Sequence, residues 1–332
     1  MSQTSFTDVG VTDGTQPLAV WHSRRDTVDV LEHAGSLPEW ALQYEQLSSG
    51  AFSGQVEEIH LPGAYMVRES MNRSVRQQGA FGQHMYGFAM LLQADAHAIC
   101  NAQRLDANAL LVGRGDDLDL CTTQGAQIGA LSVDCDFVNH LSQRIYGRPL
   151  ASWLNQQVVV PVGRMASDSL RVRLNGALAD AARVLGAAPA GAAAVEAIRD
   201  DLLLGFLDAL PWEQDLSHLK SIASRRRVVD RARAFVLDHA DCPPSLLQVC
   251  SHVGASERKL NYCFQETLGL SPARYLRIHR LNKVRRHLKH GRRDGLGVQD
   301  VAALWGFWHF GQFSADYKRQ FGELPSQTLR FV

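Results

Sequence analysis

Two segments near the end of the chain repeat one another, and that repeat narrows the possible folds more than any other feature. They read SLLQVCSHVGASERKLNYCFQETLGLSP from Ser245 and GVQDVAALWGFWHFGQFSADYKRQFGELP from Gly297. Leu246, Val249, Cys250 and Val253 match Val298, Val301, Ala302 and Trp305, at the i, i+3, i+4, i+7 spacing of a short helix with one buried stripe. Gly254 matches Gly306, where a tight turn calls for a positive φ. Past the turn, Leu260, Phe264 and Leu268 match Phe313, Tyr317 and Phe321. Gly269 and Gly322 then cap the second helices, and Pro272 and Pro325 follow. The second copy carries one extra residue just after its turn. Two helices joined by a short glycine turn form a helix-turn-helix, whose second helix can enter the major groove of DNA.

The outward face of the first second-helix suits that use. It carries Ser256, Arg258, Lys259, Asn261, Tyr262 and Gln265. Arg and Lys can donate to guanine, and Asn can pair with adenine. Charge supports the same reading. The whole chain has a net charge of zero, but residues 1–220 hold 15 Lys and Arg against 25 Asp and Glu, while residues 221–332 hold 19 against 9. A neutral chain split into an acidic and a basic part points to a polyanionic partner for the basic part. Between the two units, PARYLRIHRLNKVRRHLKHG reads as one helix opened by Ser271 and Pro272. Its length, about 28 Å at 1.5 Å per residue, approaches the roughly 34 Å between successive major grooves on one DNA face. Arg277, Arg280, Lys283, Arg285, Arg286 and Lys289 make it strongly basic, and phosphate contact is the expected use of some of them.

Residues 224–330 resemble the DNA-binding domain of the AraC/XylS family, most specifically through G-F-x-x-x-x-x-F-x-x-x-Y-K-R-x-F-G-x-x-P from Gly306 to Pro325. The resemblance implies base reading early in each recognition helix: Arg258, Lys259, Asn261 and Tyr262 in the first unit, and His309, Gly311, Gln312, Ser314 and Ala315 in the second. The second set lacks the Arg or Lys often found near Ala315, so its reading is expected to be weaker, with Lys318 and Arg319 on phosphates. The partners implied are double-stranded promoter DNA, RNA polymerase and a second copy of the chain.

The N-terminal half reads differently. Residues 1–35 are polar and are expected to be a flexible arm. From Leu42 to about Asp134, short β-prone runs (LQYEQLS, VEEIHL, AYMVRE, GFAMLLQ, HAIC, ALLVG, LDLCT, IGALSV) alternate with turn signals, as in a small sandwich or barrel. Asp136 opens a helix closed by Gly147, and apolar stripes over 167–185 and 193–210 indicate two longer helices around the low-complexity GAAPAGAAA. These stripes can pack on the barrel or on a second subunit; a homodimer is the expectation. The chain is thus expected to be α+β: a cupin-like β-barrel or sandwich with appended helices over 36–211, implied by the family resemblance, a linker over 212–223, and an all-α domain with two helix-turn-helix units over 224–332.

The stretch from Gln46 to Gly79 also resembles a subgroup that includes ethanolamine-utilisation and other amine-linked regulators. Arg68, Glu69 and Asn72, with Trp40 and Tyr44, are the candidate effector contacts. The competing reading for the charged group is a surface ion-pair cluster, and for Trp40 and Tyr44 it is core packing. His60, His84 and His97 form no H-x-H pair, and Cys100, Cys121, Cys135, Cys242, Cys250 and Cys263 form no C-x-x-C pair, so no metal site or disulfide framework is expected. No nucleophile elbow or phosphate loop occurs. Catalysis and cofactors are therefore not expected. With no membrane-length apolar run and no secretory pattern at the start, the expected location is the cytoplasm. The leading reading is a small-molecule-responsive transcription regulator, an activator by preference. The alternative is a regulator without an effector, controlled by abundance or a protein partner.

Overall fold

The computed structural model describes residues 21–37, 40–61, 63–80, 82, 84–93, 97–114, 118–154, 158–186, 192–213, 220–239, 244–290 and 295–330. The N-terminal domain is a two-sheet β domain. One sheet contains β1 (Trp21–Thr27), β3 (Gly54–Leu61), β4 (Ala64–Met71), β11 (Gln127–Asp134), β6 (Met85–Leu91), β9 (Ala109–Arg114) and β12 (Val158–Pro161), in that spatial order. The other contains β2 (Ala41–Gln46), β5 (Val75–Ala80), β10 (Leu118–Thr122), β7 (His97–Cys100) and β8 (Gln103–Asp106). All pairings among the described residues are antiparallel.

The sheets share a core in which Trp40, Leu42 and Tyr44 from one side meet Val56, Val67 and Ile128 from the other. Strands with one face on this core and the other under helices read as runs of apolar residues, which is why ALLVG and LDLCT lack clean alternation. The outer face of the larger sheet is covered by α2 (Cys135–Tyr146), α4 (Arg164–Gly186) and α5 (Ala192–Ala209). The Asp134 side chain caps α2 by accepting from the Phe137 amide at 2.9 Å, and Gly147 ends it with φ 75°.

Three expectations change. Residues 21–35 are not a loose arm: β1 pairs along its length with β3, from Trp21 opposite His60 to Thr27 opposite Gly54. The polar letters of WHSRRDT belong to an edge strand, and α1 (Val30–Gly35) follows it. Residues 1–20 of the expected arm lie outside the described residues. The expected linker over 212–223 is shortened, because α6 (Lys220–Asp238) begins inside it; residues 214–219 lie outside the described residues. Finally, the stripes of α4 and α5 are already used. Leu170, Leu174, Leu178, Leu202 and Phe206 pack against Met66, Phe88 and Leu131 of the sheet rather than waiting for a second subunit.

The C-terminal domain is all helical: α6, α7 (Leu246–Val253), α8 (Glu257–Leu268), α9 (Pro272–His290), α10 (Val298–Leu304), α11 (Phe310–Phe321) and α12 (Pro325–Arg330). Its two units have separate cores. Val249, Val253, Leu260 and Phe264 lie in one; Val301, Ala302, Phe313 and Tyr317 lie in the other. The long α9 enters both, giving Tyr275 and Ile278 to the first and Leu281, Val284 and Leu288 to the second.

Candidate nucleic-acid interface

Each turn is built as its sequence indicates. Gly254 and Gly306 have φ of 65° and 71°. Ser245 and Gln248 form a reciprocal capping box at the start of α7. Ser256 caps α8, its hydroxyl accepting from the Lys259 amide at 3.2 Å, so this candidate is committed to holding the recognition helix open at the right residue. Arg258 and Lys259 are exposed on the first turn of α8. The Asn261 amide donates to the Glu257 carbonyl at 3.0 Å, which leaves its carbonyl oxygen as the free acceptor. Tyr262 is exposed, and Arg225 of α6 donates to its hydroxyl at 3.1 Å.

The second unit is less open. His309 stands at the start of α11 without a side-chain cap bond. Gln312 and Ala315 are exposed and Ser314 is half-buried. Gln312 donates to Asp316 at 3.0 Å, Arg319 lies 3.2 Å from the same carboxylate, and Arg277 of α9 also pairs with it. Asp316, itself buried, thus draws together three polar side chains. It escaped the sequence reading, although its i+4 and i−3 spacing from Gln312 and Arg319 was there to see. Lys318 is exposed. So is Trp308, the residue by which the second turn exceeds the first.

The cations of α9 are mostly spent inside the protein. Arg285 and Lys289 pair with Asp29, and Arg285 also reaches Glu323. Arg280 points its guanidinium over the Phe307 ring and towards the carbonyls of Trp305 and Gly306. Arg286 donates to Gln43 at 3.2 Å. Burial lowers the proton affinity of Lys283, and the neighbouring Arg286 lowers it further. The helix binds its own two units and the N-terminal domain before any phosphate.

That docking is extensive and polar. Gln46 exchanges bonds with the Asn282 side chain, 3.0 Å each way, and with Gln320. Gly50 donates to the last turn of α11 at 3.1 Å. Gly269, which ends α8, lies against Ile99 of β7. Arg76 is fully buried between Asp119 and Tyr275, and Glu45 meets Tyr275 and His279. Burial opposes ionisation of Glu45, but His279, Arg233 and Arg76 hold its carboxyl well below the usual carboxylate range. Burial also opposes ionisation of Asp29, and Arg285 and Lys289 lower it in the same way.

Between the sheets lies a narrow cavity of about 30 Å³ with a mainly apolar wall that includes Trp40, Val67, Phe88 and Leu120. Its polar wall residues are Glu69, Gln77 and Ser132. Glu69 accepts from Tyr44 at 2.5 Å and from Gln77 at 3.0 Å, with His33 3.3 Å away. Trp40, Tyr44 and Glu69 therefore come together at one place. Arg68 and Asn72 do not. Arg68 points to the opposite side of β4, between Glu57 and Asn175. Asn72 braces the loop at Ala51 and Ser53. Adjacent strand residues face opposite ways, so Arg68 and Glu69 could not have shared a pocket. Among the described residues no cluster of His, Cys, Asp and Glu is arranged to hold a metal, and no helix is long and apolar enough to cross a membrane.

Residues 249–330 match the model of a helix-turn-helix domain family. The chain is similar to "Probable thc operon regulatory protein" of Rhodococcus erythropolis, 40% identical over 105 residues, which is 32% of each chain. It is also similar to "XylDLEGF operon transcriptional activator 2" of Pseudomonas putida, 32% identical over 120 residues, 34% of this chain and 76% of that protein. Among solved structures, the AraC-like transcriptional activator CuxR aligns with 85% of this chain and 100% of its own, at 14% identity and a TM-score of 0.40. The chain spans about a third of the Rhodococcus protein's length.

Proposed function

The chain belongs to the AraC/XylS family of transcription regulators, and on that premise we propose that it activates an operon by binding promoter DNA through α8 and α11 under the control of a small effector. One observation carries the DNA-binding mode: both recognition helices dock their C-terminal ends on the N-terminal domain, at Gly269 and at Gln320, while Arg258, Lys259, Gln312 and Lys318 remain exposed. In this reading Arg258, Lys259, Asn261 and Tyr262 address base edges, His309, Gln312 and Ser314 add weaker readout, and Lys318 and Arg319 hold phosphates. RNA polymerase and a second copy of the chain in the cytoplasm complete the proposal. The exposed apolar Met165 and Val172 on α4 offer a surface to a dimer.

Anisotropy titrations of the full chain on duplexes selected from a random pool test the DNA-binding reading. Affinity is expected to fall steeply between low and physiological salt, because bound cations release counterions. Lys318→Ala is expected to weaken all sequences alike and flatten the salt slope by about one unit. Binding that ignores salt, or no binding to any duplex, refutes it. The effector reading rests on the cavity at Glu69. Its tightness favours the second reading, control by abundance or a protein partner, since about 30 Å³ holds little more than water. A thermal-shift screen of amines, amino acids and carboxylates separates the two.

A further inference from the structure

The five-stranded sheet stands between the cavity and the DNA-binding domain, and its pleat gives the two faces different partners. Tyr44 and Gln77 are directly opposed across β2 and β5, and both point inward to Glu69. The next opposed pair, Glu45 and Arg76, points outward. The Tyr275 hydroxyl of α9 joins these two: it accepts from Arg76 and donates to Glu45 at 3.1 Å. His279 of α9 meets the same Glu45, and Gln43 on the same face accepts from Arg286. Tyr44 and Gln77, which donate to Glu69, are therefore each the chain neighbour of a residue that holds α9.

A second connection runs through α1. His33 lies 3.3 Å from Glu69, and one turn earlier Asp29 both caps α1, accepting from the Leu31 amide at 2.8 Å, and binds Arg285 and Lys289 of α9. Asp29 and His33 are joined directly, the His33 amide donating to the Asp29 carbonyl at 2.9 Å. Glu69 comes from the opposite sheet, on β4, so it ties both connections to the far wall of the cavity. Any occupant larger than a water or two must part these walls, and the polar contacts of Glu69 lie among the groups it displaces.

We propose that Glu69 is the point at which occupancy of the cavity changes how firmly the N-terminal sheet holds α9. The occupant is a compact, largely apolar molecule with one hydrogen-bonding group that reaches Glu69. It takes Glu69 from Tyr44 and Gln77, the strand neighbours Glu45 and Arg76 shift with them, and α9 is released. The proposal uses the effector reading only for the identity of the trigger; the connection itself exists without one.

Hydrogen exchange on the unliganded full chain tests it. Tyr44→Phe removes one hydroxyl and keeps the ring. Amides of 272–290 are expected to exchange at least about fivefold faster, the lower end of couplings between sites, while α5, which packs on the other sheet, keeps its wild-type protection. Glu69→Gln is expected to do the same. By reciprocity, Tyr275→Phe on the far face should speed exchange in β4 by a comparable factor. If α9 keeps its wild-type protection in Tyr44→Phe and the changes stop at β2, β4 and β5, the connection is refuted. Should Glu69→Gln fail to fold, the two hydroxyl variants decide. No effector is added, so a ligand screen that finds nothing sinks the effector reading and leaves the connection standing. An unresponsive α9 does the reverse.

Discussion

Asp316 gives α11 a set of side-chain contacts that engage its candidate reader. Gln312, the second unit's best candidate for reading a base, already donates to it, and Arg277 and Arg319 share the same carboxylate. In the first unit Arg258 and Lys259 are exposed on the opening turn. A bidentate base contact is worth about 1–3 kcal/mol of discrimination, so Arg258→Ala should cost about that much and relax one or two positions of the site. Gln312→Ala should cost less. Binding-site selection on both variants checks this; greater damage from Gln312→Ala, with both blocks equally sharp, means the second unit is the main reader. The recognition-helix candidates were legible because short-range periodicity marks the outward face. Asp316 was missed because its importance comes from Arg277, which approaches from another helix. Among the cavity candidates, Glu69, Tyr44 and Trp40 come together, while Arg68, a neighbour in sequence, faces away.

His60, Asp29 and Glu45 each weaken the protein in acid, while Asp230, whose carboxyl is raised by burial, works against them. Burial lowers His60 to about 4, from an ordinary value of 6.5. Asp29 and Glu45 are held below their ordinary values of 3.8 and 4.5 by the cations around them. In these three the folded state takes up a proton less readily than the unfolded one, so their contribution to stability falls as pH falls. The loss begins below about 6.5 with His60, continues below about 4.5 with Glu45 and below about 3.8 with Asp29, and is complete only below their folded values. The melting temperature should therefore decline from pH 7 to pH 4 and decline further below it. A flat profile across that range contradicts the assignment. Glu45→Gln should remove part of the lower limb.

At the scale of elements, strands with apolar faces announced themselves and strands with polar work did not. VEEIHL, AYMVRE, HAIC and LDLCT fall in β3, β4, β7 and β10. β1 was hidden in a polar arm because an edge strand needs no apolar outer face. β5, VRQQGA, was hidden because its buried residues include Arg76 and Gln77, whose partners come from far along the chain. α9 was legible as a helix, and its charges suggested phosphate. The structure turns Arg285 and Lys289 to Asp29 instead, a contact 256 residues away for Arg285 that no local pattern announces. The end of α11 gives a further prediction. Gly322 has φ 79°, and a Cβ there would lie 2.8 Å from the Ala51 nitrogen and 2.9 Å from its Cβ. Gly322→Ala should therefore loosen both the helix cap and the docking of α11, costing about 1 kcal/mol or more. Denaturant melts and exchange at 47–53 measure it; an unchanged midpoint with unchanged exchange contradicts the close fit.

At the scale of the whole molecule, an acidic first part and a basic last part meet through β2, β5, β7 and β10. Gln46 touches both α9 and α11, while Ile99 meets the end of α8. With α9 packed into the cores of both units, the docked sheet sets the distance and the rotation between α8 and α11 for as long as it holds them. Successive base pairs turn by about 35° on B-form DNA, a full turn taking 10–10.5 of them. An operator that gains or loses a pair between its two blocks would swing one block out of reach of a helix that cannot follow. On the proposed binding mode, promoters served by this chain are free to drift in the letters beneath α11, and far less free to drift in the count of pairs separating those letters from the ones beneath α8.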